Sequence, residues 1–383
     1  MAHYLSAAAL VASAALTAAA PAAKGDFSID QVSKGSFYKS GPLAMAKTYS
    51  KYAKHGAVMP ENVSIAATAA STGSVSASPE SYDESYLIPV SIGGTTFHLD
   101  LDTGSSDLWV FSTQQPASQR SGHTAYKQTG TKKSGYTWNI SYGDGSGAKG
   151  DVYVDKVVVG GVTATSQAVE AATSVSSSFT SDTDNDGLIG AAFSSINTVS
   201  PQQQLTFFDN VKNSLSQKLF AARLRYHTAG TYDYGYIDSS KYSGSIHYVP
   251  VNTANGFWEF TASGVSGSSI ADTGTTLLYI PDSNVDAYYA NVDSASYDSS
   301  QGGYTFDCDE SLPDWTVTIG SGSITVPGEY INFAPVSGNT CFGGIQSSDG
   351  IGFNIFGDIF LKATYTVFDQ TQSSPRLGFA QGA

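Results

Sequence analysis

Two acids in this chain stand where acids are least expected. The stretch LDLDTGSSDLWV (residues 99–110) alternates like a strand and carries Asp102 into Thr-Gly-Ser. The stretch SIADTGTTLLYI (residues 269–280) does the same with Asp272, 170 residues later. Two carboxylates brought together have a defined chemistry. Hydrolysing an amide without a metal or a covalent nucleophile needs a base to activate water and an acid to protonate the carbonyl or leaving nitrogen. A pair sharing one proton supplies both, because like charges a few ångströms apart do not both ionise. The two titrations then belong to the pair rather than to either residue. A dry, shared setting is what splits them, which explains acids on apolar strands. Gly104 and Gly274 leave a backbone N–H beside each acid and tolerate the tight turn.

The elements that must position these acids also repeat. DGLIGAAF (186–193) follows the first copy and FNIFGDIF (353–360) the second, so Gly190 lies 88 residues after Asp102 and Gly357 lies 85 after Asp272. One β-rich lobe used twice accounts for both echoes. From Tyr86 onward, YLIPVSI, FHLDLD, LWVFS, YTWNISY, DVYVDKVVV and SITVPGEYI read as strands between Gly, Asn, Asp and Ser clusters. Helical periodicity is rare; residues 200–215 and 281–292 are the best candidates. The fold class is therefore all-β, with few short helices.

Composition bounds the setting. With 383 residues the chain has room for two domains or one bilobed unit. A formal charge of −14 argues against nucleic acid as a partner. Residues 1–20 form a short Ala-rich apolar stretch ending in small residues, which reads as a secretory signal, and no later run is long enough to span a membrane. Secretion fits the cysteine count: Cys308 and Cys341 are the only two, and a disulfide between them is expected. Residues 21–70 carry six lysines against three acids, whereas 71–383 carry 13 basic against 30 acidic residues. This opposition suggests a propeptide that docks on the acidic body at neutral pH and loosens as carboxylates protonate. The Ser/Ala/Thr-rich residues 65–81 read as an exposed linker open to processing.

DTGSSDLWVFS, ISYGDGS, ADTGTTLLYIP and FGDIFLKATYTVFD together resemble the pepsin-like aspartic endopeptidases, in particular the secreted fungal aspergillopepsin and penicillopepsin type. The resemblance spans nearly the whole chain. It implies a bilobed body with a signal peptide (1–20), a propeptide (21–70), an N-terminal lobe (71–250) bearing Asp102 and a flap, and a C-terminal lobe (251–383) bearing Asp272. It implies that Ser105 and Thr275 bond the outer carboxylate oxygens and that Thr103 and Thr273 cross-link the two loops. WNISYGDGSGAKG (138–150) corresponds to the flap, with Tyr142 as its tyrosine, Gly143 and Asp144 at its tip, and Trp109 offering its indole N–H to Tyr142. An acid at Asp144 accompanies acceptance of Lys before the cleaved bond in fungal relatives. Phe179 and Leu188 match positions lining the apolar pocket there. Asp107 is expected to face solvent and Asp100 the cleft side. The expected partners are polypeptide substrates and the chain's own propeptide, bound as an intramolecular inhibitor by a monomer.

Rival motifs are weaker. SDTDNDG (181–187) begins like a calcium loop, but position twelve from Asp182 is Phe193 rather than Glu. The six histidines lack metal-ligand spacing, so neither metal nor cofactor is expected. No G-x-S-x-G occurs, and GDGSGAKG lacks the strand-to-helix context of a phosphate loop. Sequons stand at Asn62 and Asn139, the latter a glycosylation candidate at the flap's base. One departure from the family pattern is the short VSGSS (265–269) before the second acid, where relatives carry a longer hairpin. It suggests a missing strand partner or a lower cleft wall. A catalytically silent peptide binder and a β-sandwich carbohydrate binder are the alternatives; intact acids disfavour the first and duplicated acids the second.

Overall fold

A computed structural model describes residues 25–32, 39–72, 86–141 and 147–383. Strand accounts for 43% and helix for 18% of the structure, in a bilobed all-β arrangement with few short helices. In the first lobe a seven-stranded sheet carries Thr95–Asp102 beside Gly187–Gly190 in parallel, with Asp102 opposite Gly190. Leu108–Val110 runs antiparallel to that same short strand. The second lobe repeats the device: Ser269–Ala271 lies parallel to Asn354–Phe356, which runs antiparallel to Leu278–Ile280. Asp102 therefore ends, and Asp272 directly follows, a strand that is buried at that end and braced by a parallel neighbour.

The two echoing glycines are explained by close approach. A Cβ on Gly190 would lie 2.5 Å from Ser106 Cα, and one on Gly357 2.3 Å from the carbonyls of Thr275 and Leu277. Only Gly lets each backing strand press against its Asp-Thr-Gly loop.

The described residues of 25–32 and 39–72 join the core. Phe27–Asp30 is the outermost strand of a six-stranded sheet, paired with Thr231–Tyr234. That sheet continues through Leu219–Arg223, Thr364–Asp369, Arg376–Gly382 and Tyr242–Pro250, so it draws on both halves of the chain. Helix Gly41–Tyr52 is started by Ser40, whose Oγ accepts from Leu43 N–H, and by Pro42 in its first turn. Gly56, at φ 97°, stops the short continuation. Met45, Tyr49, Tyr52 and Val63 pack in the same buried cluster as Phe257, Tyr279 and Phe342.

Several sequence expectations are corrected here. Helices Gly41–Tyr52 and Glu61–Thr72 are not in the sequence reading, and residues 65–72 are helix rather than linker. Of residues 200–215, only Phe207–Val211 is helical; the preceding stretch is held by Asn197, whose Oδ1 takes the Gln204 N–H at 2.8 Å. SITVPGEYI is strand only through Val326, because Pro327 opens helix Gly328–Ile331. Ser269–Ala271 loses no partner: Glu259–Phe260 pairs on its other side despite the short VSGSS. The expected helix at 281–292 is present as Asp282–Tyr289.

Candidate active site

Asp102 and Asp272 are 1% and 0% exposed. Around each, the loop supplies the same two donors. Gly104 N–H donates to Asp102 Oδ1 at 2.8 Å and Ser105 Oγ to its Oδ2 at 2.5 Å. Gly274 N–H donates to Asp272 Oδ1 at 3.0 Å and Thr275 Oγ1 to its Oδ2. Donors of this kind fix a carboxylate's plane and favour its charge.

The loops lock to each other through a reciprocal pair. Thr103 N–H donates to Thr273 Oγ1 at 3.1 Å, and Thr273 N–H to Thr103 Oγ1 at 3.0 Å. Each hydroxyl donates in turn to the opposite strand, Thr103 Oγ1 to the Ala271 carbonyl at 2.9 Å and Thr273 Oγ1 to that of Leu101 at 2.5 Å. Both threonines are buried, so this ring has no competing water. The carboxylates are brought face to face: a Cβ on Gly274 would lie 2.3 Å from Asp102 Oδ1, and one on Gly104 2.5 Å from Asp272 Oδ1.

Between them stands a cation from helix Gly41–Tyr52. Lys51 Nζ lies 2.8 Å from Asp102 Oδ1 and 3.0 Å from Asp272 Oδ2. Tyr52 Oη donates to Asp272 Oδ2 at 2.5 Å, and its ring packs edge-on against Phe257 and Phe353. Sequence reasoning assigned the leader an electrostatic role but missed these two residues. The usable signals were a capped helix start at Ser40-Gly-Pro and a Lys-Tyr pair at that helix's end; the target of that pair is not legible locally.

Electrostatics divide the pair. Burial, joined by the charge of Asp272 and opposed by Lys51, holds Asp102 above the ordinary carboxylate range. Burial also acts against ionisation of Asp272, but Lys51, Thr275 and Tyr52 overcome it and bring this acid down to about 2. Burial works against the Lys51 charge, yet the two carboxylates keep its ammonium protonated well beyond the usual range.

Trp109, Phe179 and Leu188 come together: Trp109 is buried, Phe179 meets it edge-on at 5.0 Å, and Leu188 packs on the same cluster. Trp109 Nε1 has no hydrogen-bond partner among the described residues. Tyr142, Gly143 and Asp144 lie outside the described residues, as do residues 1–20. Asn139 is exposed on strand Thr131–Ser141, and its carbonyl accepts from leader Lys54 at 3.2 Å. Cys308 and Cys341 form the expected disulfide.

Asp107 does not face solvent. It is 2% exposed, and its Oδ1 accepts from Thr198 N–H and Oγ1 and from Asn197 Nδ2. The central position of Leu108–Val110 in the sheet carries it inward. Asn197 Nδ2 also donates to Glu170 at 3.0 Å, joining a second buried acid. Asp100 is buried too, on the same strand face as Asp102, and burial pushes it up to about 7. Among the described residues no group of three or more His, Cys, Asp or Glu could hold a metal ion.

Paired acids on duplicated loops are thus locked across two β-lobes. A family model described as eukaryotic aspartyl protease matches residues 85–382. The chain belongs to the eukaryotic aspartyl protease family. Aspergillopepsin-1 from Aspergillus oryzae is 57% identical over 392 positions, covering 98% of both chains. Penicillopepsin-2 from Penicillium janthinellum is 52% identical over 379 positions, covering 94% of this chain and 93% of its own. The crystal structure of an aspartic proteinase from Irpex lacteus superposes with a TM-score of 0.65 at 25% identity, over 78% of this chain and 95% of the other. This family member is thus an aspartic endopeptidase of the aspergillopepsin type.

Proposed function

We propose that this endopeptidase is secreted as a zymogen and hydrolyses internal peptide bonds beside bulky apolar residues, with Asp102 and Asp272 as the catalytic dyad. The observation that carries the reading is the Lys51 ammonium, within 3.1 Å of both carboxylates. A cation there occupies the point from which a water would have to accept direction from both acids. While the leader is docked, no substrate carbonyl can approach.

Removing the leader returns the dyad to its one-proton state. One carboxylate then takes a proton from the water as it attacks the carbonyl carbon, and the other's proton goes to the carbonyl oxygen; as the C–N bond breaks, the first gives its proton to the leaving nitrogen and the second takes one back from the diol hydroxyl. Thr103 and Thr273 hold the loops, and Gly104, Ser105, Gly274 and Thr275 orient the carboxylates. Tyr142, with Gly143 and Asp144, closes over the extended substrate and excludes water, its hydroxyl taking the Trp109 indole N–H. Phe179 and Leu188 join Trp109 in an apolar wall suited to a large side chain before the cleaved bond, and Asp144 would also admit Lys there. The N-terminal lobe (71–250) and C-terminal lobe (251–383) each bring one acid to the cleft. The monomer carries an N-glycan at Asn139, which exposure on a strand makes accessible.

Acidification supplies the trigger. Asp272 is held low in the docked state by Lys51 and Tyr52, both of which leave with the leader. A depressed carboxylate contributes stability above its ordinary value of 3.8 and loses it as pH falls towards about 2. The purified precursor should be inert at neutral pH and self-process in acid. Loss of the leader at an equal rate in an Asp102→Asn, Asp272→Asn double variant would contradict self-processing.

A further inference from the structure

Outside the DTG loops, one buried residue touches the supports of both, through its side chain on one side and its main chain on the other. Trp258 is 1% exposed. Its indole Nε1 donates to the Ala191 carbonyl at 2.9 Å, and Ala191 N–H donates to the Asp102 carbonyl at 2.7 Å. Its own carbonyl accepts from Ala271 N–H at 3.2 Å, and the Ala271 carbonyl accepts from Thr103 Oγ1 at 2.9 Å. Two residues earlier, the Gly256 carbonyl takes the Phe193 N–H at 3.1 Å. The ring is fixed by Phe193 at 4.7 Å, Phe368 at 5.2 Å and Phe220 at 6.1 Å.

The Thr103–Thr273 ring joins the loops at one place, and a single attachment still allows them to rotate about it. A second attachment removes that freedom. We propose that Trp258 is a positioning residue that ties the two catalytic loops together, acting through Ala191 on the Asp102 side and through Ala271 on the Asp272 side. The inference rests on the dyad reading above. A buried N–H has no water to replace a lost carbonyl, so the bond sets geometry as well as stability. Small displacements of reacting groups then reach the rate.

The test uses the full-length precursor, acidified to release the leader, in two variants. Trp258→Phe removes the indole N–H and some volume. Replacement of Trp258 by 3-benzothienylalanine keeps the bicyclic shape and removes only the N–H. Loss of this one buried hydrogen bond should lower kcat by about three- to tenfold in the benzothienyl enzyme, with KM essentially unmoved. The two limbs of its kcat–pH profile should approach each other, because carboxylates that drift apart couple less. Unchanged kcat and unmoved limbs in that enzyme, even with a lowered Tm, would make Trp258 a packing residue only and overturn the inference. Asp102→Asn is measured alongside. If it hydrolyses at an ordinary rate, the dyad reading fails and the positioning role fails with it; an inactive Asp102→Asn beside an unaffected benzothienyl enzyme rejects Trp258 alone.

Discussion

Gly274 faces Asp102 so closely that a Cβ on it would lie 2.3 Å from Oδ1 and 2.8 Å from Lys51 Nζ. Each DTG glycine thus holds the opposite acid's space as well as its own turn. Gly274→Ala should displace Asp102 and lower kcat by about a hundredfold, as expected for reacting groups moved by an ångström. Single-turnover hydrolysis of a peptide by the acid-released enzyme checks this. A fall in kcat below about threefold would mean the loops relax around the methyl group.

Lys51 is the second such relationship. Lys51→Met leaves two buried carboxylates without their cation, and losing one partner of a buried pair costs about 3–5 kcal/mol. The variant precursor should release its leader at a higher pH than the parent. It should also bind a statine-type transition-state mimic near neutral pH, where the parent does not. Calorimetric titration of both precursors with the mimic measures the difference.

Glu170 and Asp107 predict acid stability in the first lobe. Burial first, then the neighbouring Asp107 charge, hold the Glu170 carboxyl well above its ordinary 4.5; burial likewise lifts Asp107. A hydrogen bond between the two carboxyls adds to the shift, holding the proton on Glu170 and favouring the Asp107 charge. A raised acid contributes its stability below the ordinary value and loses it as pH rises through the folded-state value. The protein should therefore melt lower at neutral pH than in mild acid. Glu170→Gln should narrow that gap, because the amide has no charge to bury as pH rises. Melting curves of both proteins in mild acid and at neutral pH test it, and an unchanged gap would assign the pH dependence elsewhere.

Much of this site was legible in the sequence because it is local and repeated. Asp102 with Gly104 and Ser105, and Asp272 with Gly274 and Thr275, make their bonds within three residues. The Gly190 and Gly357 echoes mark the parallel strands behind them. What was not legible depends on long-range placement. Lys51 meets partners 51 and 221 residues away, and nothing in its own helix points to them. The burial of Asp107 is not legible because its partners Asn197 and Thr198 lie about 90 residues away. The two leader helices were passed over because Ala, Ser and Thr dilute their apolar faces, although Ser40, Pro42 and Gly56 mark the ends of the first.

The most direct test of the central claim is hydrolysis of an unfolded protein substrate by the full-length chain, from about pH 2 to about pH 8, with and without a statine-type mimic. Asp102→Asn and Asp272→Asn are carried through the same series after leader removal. The full-length chain should be silent at neutral pH and hydrolyse the substrate in acid until the mimic is added, with rates at least about a hundredfold lower in either variant. Ordinary hydrolysis by both Asn variants would contradict the dyad. A parent that stays inactive after its leader is gone would instead leave a peptide-binding cleft without the proposed chemistry.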